Sequence, residues 1–170
     1  LLTGEDLPSD LEPALRERVI DGEGGPEFVV ASEEESATGR KIVLTYRDLR
    51  ALQLATGAVR AGIGVLLRQA GLAPEDLDRV YVAGAFGNYI RPRNAQRMGL
   101  LPHRIPLSRI VFAGNTSLAG ARHAATSRGI RAAIDELARM TLHVELSQDP
   151  SFSNEYMEAM LFPEQEAPSV

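Results

Sequence analysis

Apolar positions recur along this chain with two periods. From Thr45 onward, Leu49, Leu52, Val59, Ile63 and Leu66 hold one face at helical spacing. They predict a long helix that starts at Thr45 and ends near Gly71, with Pro74 just beyond. Thr45 and Asp48 make a capping box, weaker than usual because Asp stands where Glu or Gln is the norm. Gly57, Gly62 and Gly64 interrupt the helix, and each costs about 1 kcal/mol relative to Ala in a helix interior. A second backbone, or a ligand, is therefore expected close against them.

Upstream, Leu11, Leu15 and Val19 lie at helical spacing and predict a short helix near 10–20. Asp21-Gly22-Glu23-Gly24-Gly25-Pro26 breaks it. Phe28-Val29-Val30-Ala31 and Ile42-Val43-Leu44 read as strands, paired as a hairpin across the polar stretch from Glu33 to Gly39.

Downstream, two strand–glycine–helix units echo each other at a 30-residue offset. One is Arg79-Val80-Tyr81-Val82-Ala83-Gly84-Ala85-Phe86, the other Arg109-Ile110-Val111-Phe112-Ala113-Gly114-Asn115-Thr116. Each holds an unbroken apolar run, the pattern of a strand buried on both faces. A repeat of that length matches one βαβ unit. The strands are therefore expected to be parallel neighbours, joined by a right-handed crossover. That crossover should hold a helix near 92–99 and a Pro-marked loop from Leu101-Pro102 to Pro106. Residues 117–140 are Ala-rich and helical, with a break near Ser127-Arg128-Gly129. Leu142-His143-Val144-Glu145-Leu146 alternates apolar and polar, which predicts a half-exposed edge strand. Glu155 to Leu161 reads as a last short helix. The layout is then an N-terminal helix and linker over 1–26, a hairpin over 27–44, an α/β core over 45–162, and a frayed tail over 163–170.

Composition narrows the function classes. The chain has 170 residues, 44% hydrophobic and 24% charged, which is globular rather than disordered. Aromatics are 5% and Trp is absent, so aliphatic and Ala packing must build the core. A net charge of −5 without a dense basic face argues against a nucleic-acid partner. Arg91, Arg93 and Arg97 form one small cluster, assigned to a solvated loop. With no cysteine, disulfides, thiol nucleophiles and a Cys-ligated iron–sulfur cluster are excluded within these residues. That composition fits the cytoplasm. No apolar run approaches the roughly 18 residues of a membrane span, so no membrane partner is expected. The chain opens on Leu1, with no basic-then-apolar leader, and is expected to be a piece of a longer protein or a processed one.

Two places could carry chemistry. Gly84-Ala85-Phe86-Gly87-Asn88 sits where a strand ends. Ligands of open parallel sheets bind at the carboxyl ends of strands, and glycine lets backbone approach them. Gly114-Asn115-Thr116-Ser117 ends the second strand and opens a helix, whose free N–H groups and dipole favour an anion or a polar ligand edge. Plain N-capping by Asn115, Thr116 or Ser117 is the alternative, and the two roles can coexist. On neighbouring parallel strands both turns point to one sheet edge. His103, His123 and His143 are too widely spaced for a local metal motif. Neither Gly-x-Ser-x-Gly nor Gly-x-x-x-x-Gly-Lys-Ser/Thr is present, so composition and spacing name no catalytic residue.

The run Val80 to Ile90 resembles the adenosine motif of the actin, sugar kinase and heat-shock ATPase superfamily. Ser117-Leu118-Ala119-Gly120-Ala121 resembles the small-residue helix that closes that superfamily's domain. One departure is that Ala85 replaces the usual second glycine and is followed by bulky Phe86, which implies a reshaped adenine pocket. A narrower resemblance rests on Asp48-Leu49-Arg50-Ala51-Leu52-Gln53-Leu54-Ala55, Ala83-Gly84-Ala85-Phe86-Gly87-Asn88, Met98-Gly99-Leu100-Leu101-Pro102 and Gly114-Asn115-Thr116-Ser117-Leu118-Ala119-Gly120-Ala121. These strings, with Val144-Glu145-Leu146 and Phe152, resemble the C-terminal region of the reductive activators of corrinoid proteins over residues 11–162.

The resemblance implies an α/β fold: an actin-like, ribonuclease H-like half-domain, its mixed sheet holding a parallel βαβ core with flanking helices. It implies a longer protein that uses ATP and Mg²⁺ to return a corrinoid cofactor from Co(II) to Co(I). The electron would come from a [2Fe–2S] domain outside this chain. The partner would be a corrinoid protein or corrinoid methyltransferase, and a homodimer is a candidate state of the full-length protein. Gly84, Ala85, Phe86, Gly87, Gly114, Asn115 and Thr116 would face the nucleotide. The phosphate and Mg²⁺ loops would lie upstream, so no catalysis is expected from this chain alone. A sugar- or acyl-kinase-like ATPase and a non-enzymatic interaction module remain as alternatives.

Overall fold

The computed structural model describes residues 12–84 and 90–163. It divides into two compact units, Leu1–Ala55 and Thr56–Val170.

The first unit holds helix α1 (Pro13–Arg16) and strands β1 (Val19–Gly22), β2 (Gly25–Ala31) and β3 (Ile42–Thr45). The strands form an antiparallel sheet in the order β1-β2-β3. The expected hairpin is the β2–β3 pair, with Phe28 opposite Leu44. The helix expected near 10–20 is corrected. It is confined to Pro13–Arg16, with Pro at its start. Val19 and Ile20 instead enter β1, opposite Phe28 and Glu27. Two β-branched residues beside an available strand pair better than they prolong a one-turn helix. The glycine run, expected to break a helix, closes the β1–β2 hairpin, with Gly22 opposite Gly25. Gly25 carries a positive φ of 108°, which a side chain would resist. Arg18 spans the sheet edge and donates to the Val30 carbonyl at 2.9 Å.

Helix α2 (Tyr46–Ala70) starts and stops where the sequence places it. The Thr45 N–H donates to Asp48 Oδ2 at 3.0 Å, and the Asp48 N–H donates to Thr45 Oγ1 at 3.2 Å. At the far end Gly71 turns left-handed at φ 66°. The Leu72 N–H reaches the Leu67 carbonyl at 2.9 Å and the Gly71 N–H reaches Arg68 at 3.0 Å, a Schellman arrangement. The buried face differs from the expected one. Thr56, Gly57, Ala61, Gly62 and Val65 are buried, while Val59 and Leu66 are 46% and 50% exposed.

The glycines explain that shift. A Cβ on Gly57 would lie 3.2 Å from the Met160 backbone, and one on Gly62 would lie 3.2 Å from Leu146 Cδ1. One on Gly64 would lie 2.6 Å from Glu155 Oε2. The close neighbour is thus the chain's own C-terminal segment, which crosses α2 on its small residues. That segment comprises a 3₁₀ turn (Leu146–Gln148) and the last of the helices, Phe152–Ala159. Arg68 fastens it by donating to Glu155 and Ser151, with Asp149 Oδ1 at 3.5 Å. The expected strand at 142–146 is corrected. Residues 141–145 carry no regular structure, and Leu142 is 84% exposed. Leu146 packs on Gly62, so the alternation records one side chain docking on a helix rather than a ladder.

The second unit also holds β4 (Val80–Ala83), α3 (Pro92–Arg97) and β5 (Ile110–Gly114). β4 and β5 are parallel neighbours, with Val80 opposite Ile110, as the sequence echo predicts. Ala95, Leu101, Ile105 and Ile110 form the core, with Val80, Val82, Ile90 and Phe112 packed against it. The Pro-marked loop is pinned by Gln96, whose amide donates to the carbonyls of Pro102 at 2.9 Å and Ile105 at 2.6 Å. The expectation that both strand faces are buried is corrected. Val80, Val82, Ile110 and Phe112 turn to the core, while Tyr81 is 60% and Val111 37% exposed on the other face. Side chains alternate along a strand, and among the described residues the core packs on one of the two faces.

Beyond β5 come α4 (Thr116–Thr126) and α5 (Arg128–Met140), separated at Ser127, which ends one helix and caps the next. Helix α6 (Phe152–Ala159) begins earlier than the expected Glu155. Among the described residues no helix is long and apolar enough to cross a membrane.

Candidate functional site

Parallel pairing brings the ends of β4 and β5 to one edge, where a backbone bond joins them. The Gly84 N–H donates to the Gly114 carbonyl at 2.8 Å. Both glycines have positive φ, 105° and 65°. The register slips just before this bond: Val82 faces Phe112, but Ala83 faces Gly114. Ala113 is thus bulged out of the ladder. Bulges in parallel pairs are rare and collect near active sites, where they re-aim the chain. A Cβ on Gly84 would meet nothing within 4 Å among the described residues. The positive φ is what calls for glycine there.

Asn115 follows as the N-cap of α4. Its Oδ1 accepts the Leu118 N–H at 3.0 Å, so the capping reading of this residue is correct. The cap uses only the amide oxygen and leaves the NH₂ without a partner among the described residues. Asn115, Thr116 and Ser117 are all exposed. An open edge with backbone N–H groups, a helix start and an amide donor can accept a polar or anionic ligand edge.

Of the residues singled out from sequence, the structure gathers Gly84, Gly114, Asn115 and Thr116 at this edge. Ala85, Phe86 and Gly87 lie outside the described residues. His103, His123 and His143 are exposed and scattered. Among the described residues no group of three or more His, Cys, Asp or Glu could hold a metal ion. Carboxylates held below their ordinary range lie elsewhere. Asp48 is held down by the Thr45 hydroxyl and N–H, Glu145 by Ser147, and Asp149 by Ser151. Glu35 is held down by the Ser32 N–H and then by Arg18. Each is explained by a local turn or cap, so none marks acid–base chemistry. What sequence reasoning passed over is the Arg68–Asp149–Ser151–Glu155 clamp. The Asp149-x-Ser151 spacing is a signal for its turn, but the reach to Arg68 is long-range.

Residues 7–170 match the family model described as the C-terminal domain of RACo, the ASKHA domain. The chain belongs to this family, the C-terminal ASKHA domains of RACo-type reductive activators of corrinoid proteins. It is 34% identical over 155 residues to the corrinoid activation enzyme RamQ of Eubacterium limosum, covering 90% of this chain and 26% of that protein. It is 29% identical over 158 residues to the Co(II) methylated amine-specific corrinoid protein reductase of Methanosarcina barkeri, covering 92% of this chain and 28% of the relative. A solved structure of a reductive activator for corrinoid, iron–sulfur protein superposes with a TM-score of 0.79 at 39% identity, over 87% of this chain and 23% of that one. The chain therefore spans about a quarter of the length of these ASKHA relatives.

Proposed function

We propose that this ASKHA domain is the nucleotide-facing C-terminal part of an ATP-dependent reductive activator. The full protein would return a corrinoid protein, or a corrinoid methyltransferase, from Co(II) to Co(I) by one electron. The observation that carries the reading is the Gly84–Gly114 bond, which joins two left-handed glycine turns at the carboxyl edge of a parallel pair. Such an edge is where open α/β sheets take their ligands.

In this reading Gly84, Ala85, Phe86, Gly87, Gly114, Asn115 and Thr116 form the adenosine side of an actin-like, ribonuclease H-like half-domain. The N-terminal stretch over 1–26, the hairpin over 27–44 and the core over 45–162 are its parts. The phosphates and Mg²⁺ would be held by residues outside this chain. ATP would supply the driving force for an unfavourable electron transfer. The electron would come from a [2Fe–2S] domain elsewhere, because a chain without cysteine offers that cluster no thiolate.

The test is nucleotide titration and ATP-dependent corrinoid reduction by the full-length protein carrying Gly84→Val or Gly114→Val. Both variants should lose ATP affinity and reduction, with Gly84→Ala as a milder companion should valine prevent folding. Thermal melts run beside each assay. Unchanged melting with lost binding supports the reading, and normal ATP affinity in a folded variant overturns it.

A further inference from the structure

We draw no further inference here: the strongest candidate, the exposed apolar stripe of Ile130, Ile134 and Leu137 along helix α5, carries nothing because nothing in the structure shows what covers it.

Discussion

Asn115 does a measurable job whether or not a ligand sits beside it. Its Oδ1 satisfies the Leu118 N–H, one of the donors that the start of α4 leaves open. Asn115→Ala should therefore cost about 1 kcal/mol of stability, read by urea denaturation. Ser would restore most of it. An unchanged midpoint for the Ala variant would mean that the first turn of α4 finds another acceptor. Asp48 offers a second test at the scale of one residue. Its carboxyl is held below the ordinary value of 3.8 by the Thr45 hydroxyl and N–H, so its charged form is the stabilising one. A depressed folded pKa adds stability above the unfolded pKa and loses it as pH falls through the folded pKa. Asp48→Asn should thus be less stable than the parent at neutral pH, and the gap should close in acid. Melting curves from pH 7 down to about 2 would show this. A gap that stays constant with pH would remove the carboxylate from the account.

Helix α2 shows why interruptions in a pattern carry information. Glycines that weaken a helix by about 1 kcal/mol each are tolerated when another segment must pass close. Here the passing segment runs from Leu146 to Met160. The three positions should not respond alike. At Gly57 a new methyl would press on the Met160 backbone at 3.2 Å, which has little freedom to retreat. At Gly64 it would meet the tip of the Glu155 side chain, which can swing away at the expense of a half-exposed pair with Arg68. Such pairs contribute roughly 0–1 kcal/mol. Gly57→Ala should destabilise in spite of better helix propensity, while Gly64→Ala should be neutral or stabilising. Equilibrium unfolding of the two variants decides it, and a stabilised Gly57→Ala would contradict the close crossing.

At the scale of the whole molecule, the proposed nucleotide edge would be only one side of a binding site. The relatives are about four times as long, and here one face of the β4–β5 pair is exposed at Tyr81 and Val111. Parallel sheets are normally covered on both faces. If the phosphate and Mg²⁺ residues lie outside this chain, the 170-residue protein should bind ATP weakly or not at all and should not hydrolyse it. Calorimetry provides the measurement. Sub-micromolar affinity, roughly −8 kcal/mol or better, would show a complete site within these residues and would sink the half-domain reading.

Much of the architecture is determined by local signals. Thr45 with Asp48 and Gly71 with Pro74 bound α2 because caps and left-handed turns depend on neighbours a few residues away. The Val80 and Ile110 runs, each followed by a glycine, determine a parallel pair because a repeat of one βαβ length leaves few other connections. The strings around Gly84 and Gly114 likewise point to the family. What only the tertiary structure decided has a common cause, which is that burial and pairing depend on distant partners. Leu11, Leu15 and Val19 suggest a helix until Phe28 offers Val19 a strand. Leu142 to Leu146 suggests an edge strand until Gly62 gives Leu146 a place to dock. The large aliphatics of α2 suggest its buried face, yet the segment crossing at Gly57 buries the small residues instead. An apolar run shows that a strand can be covered on both faces, but which face is covered depends on the chain that lies against it.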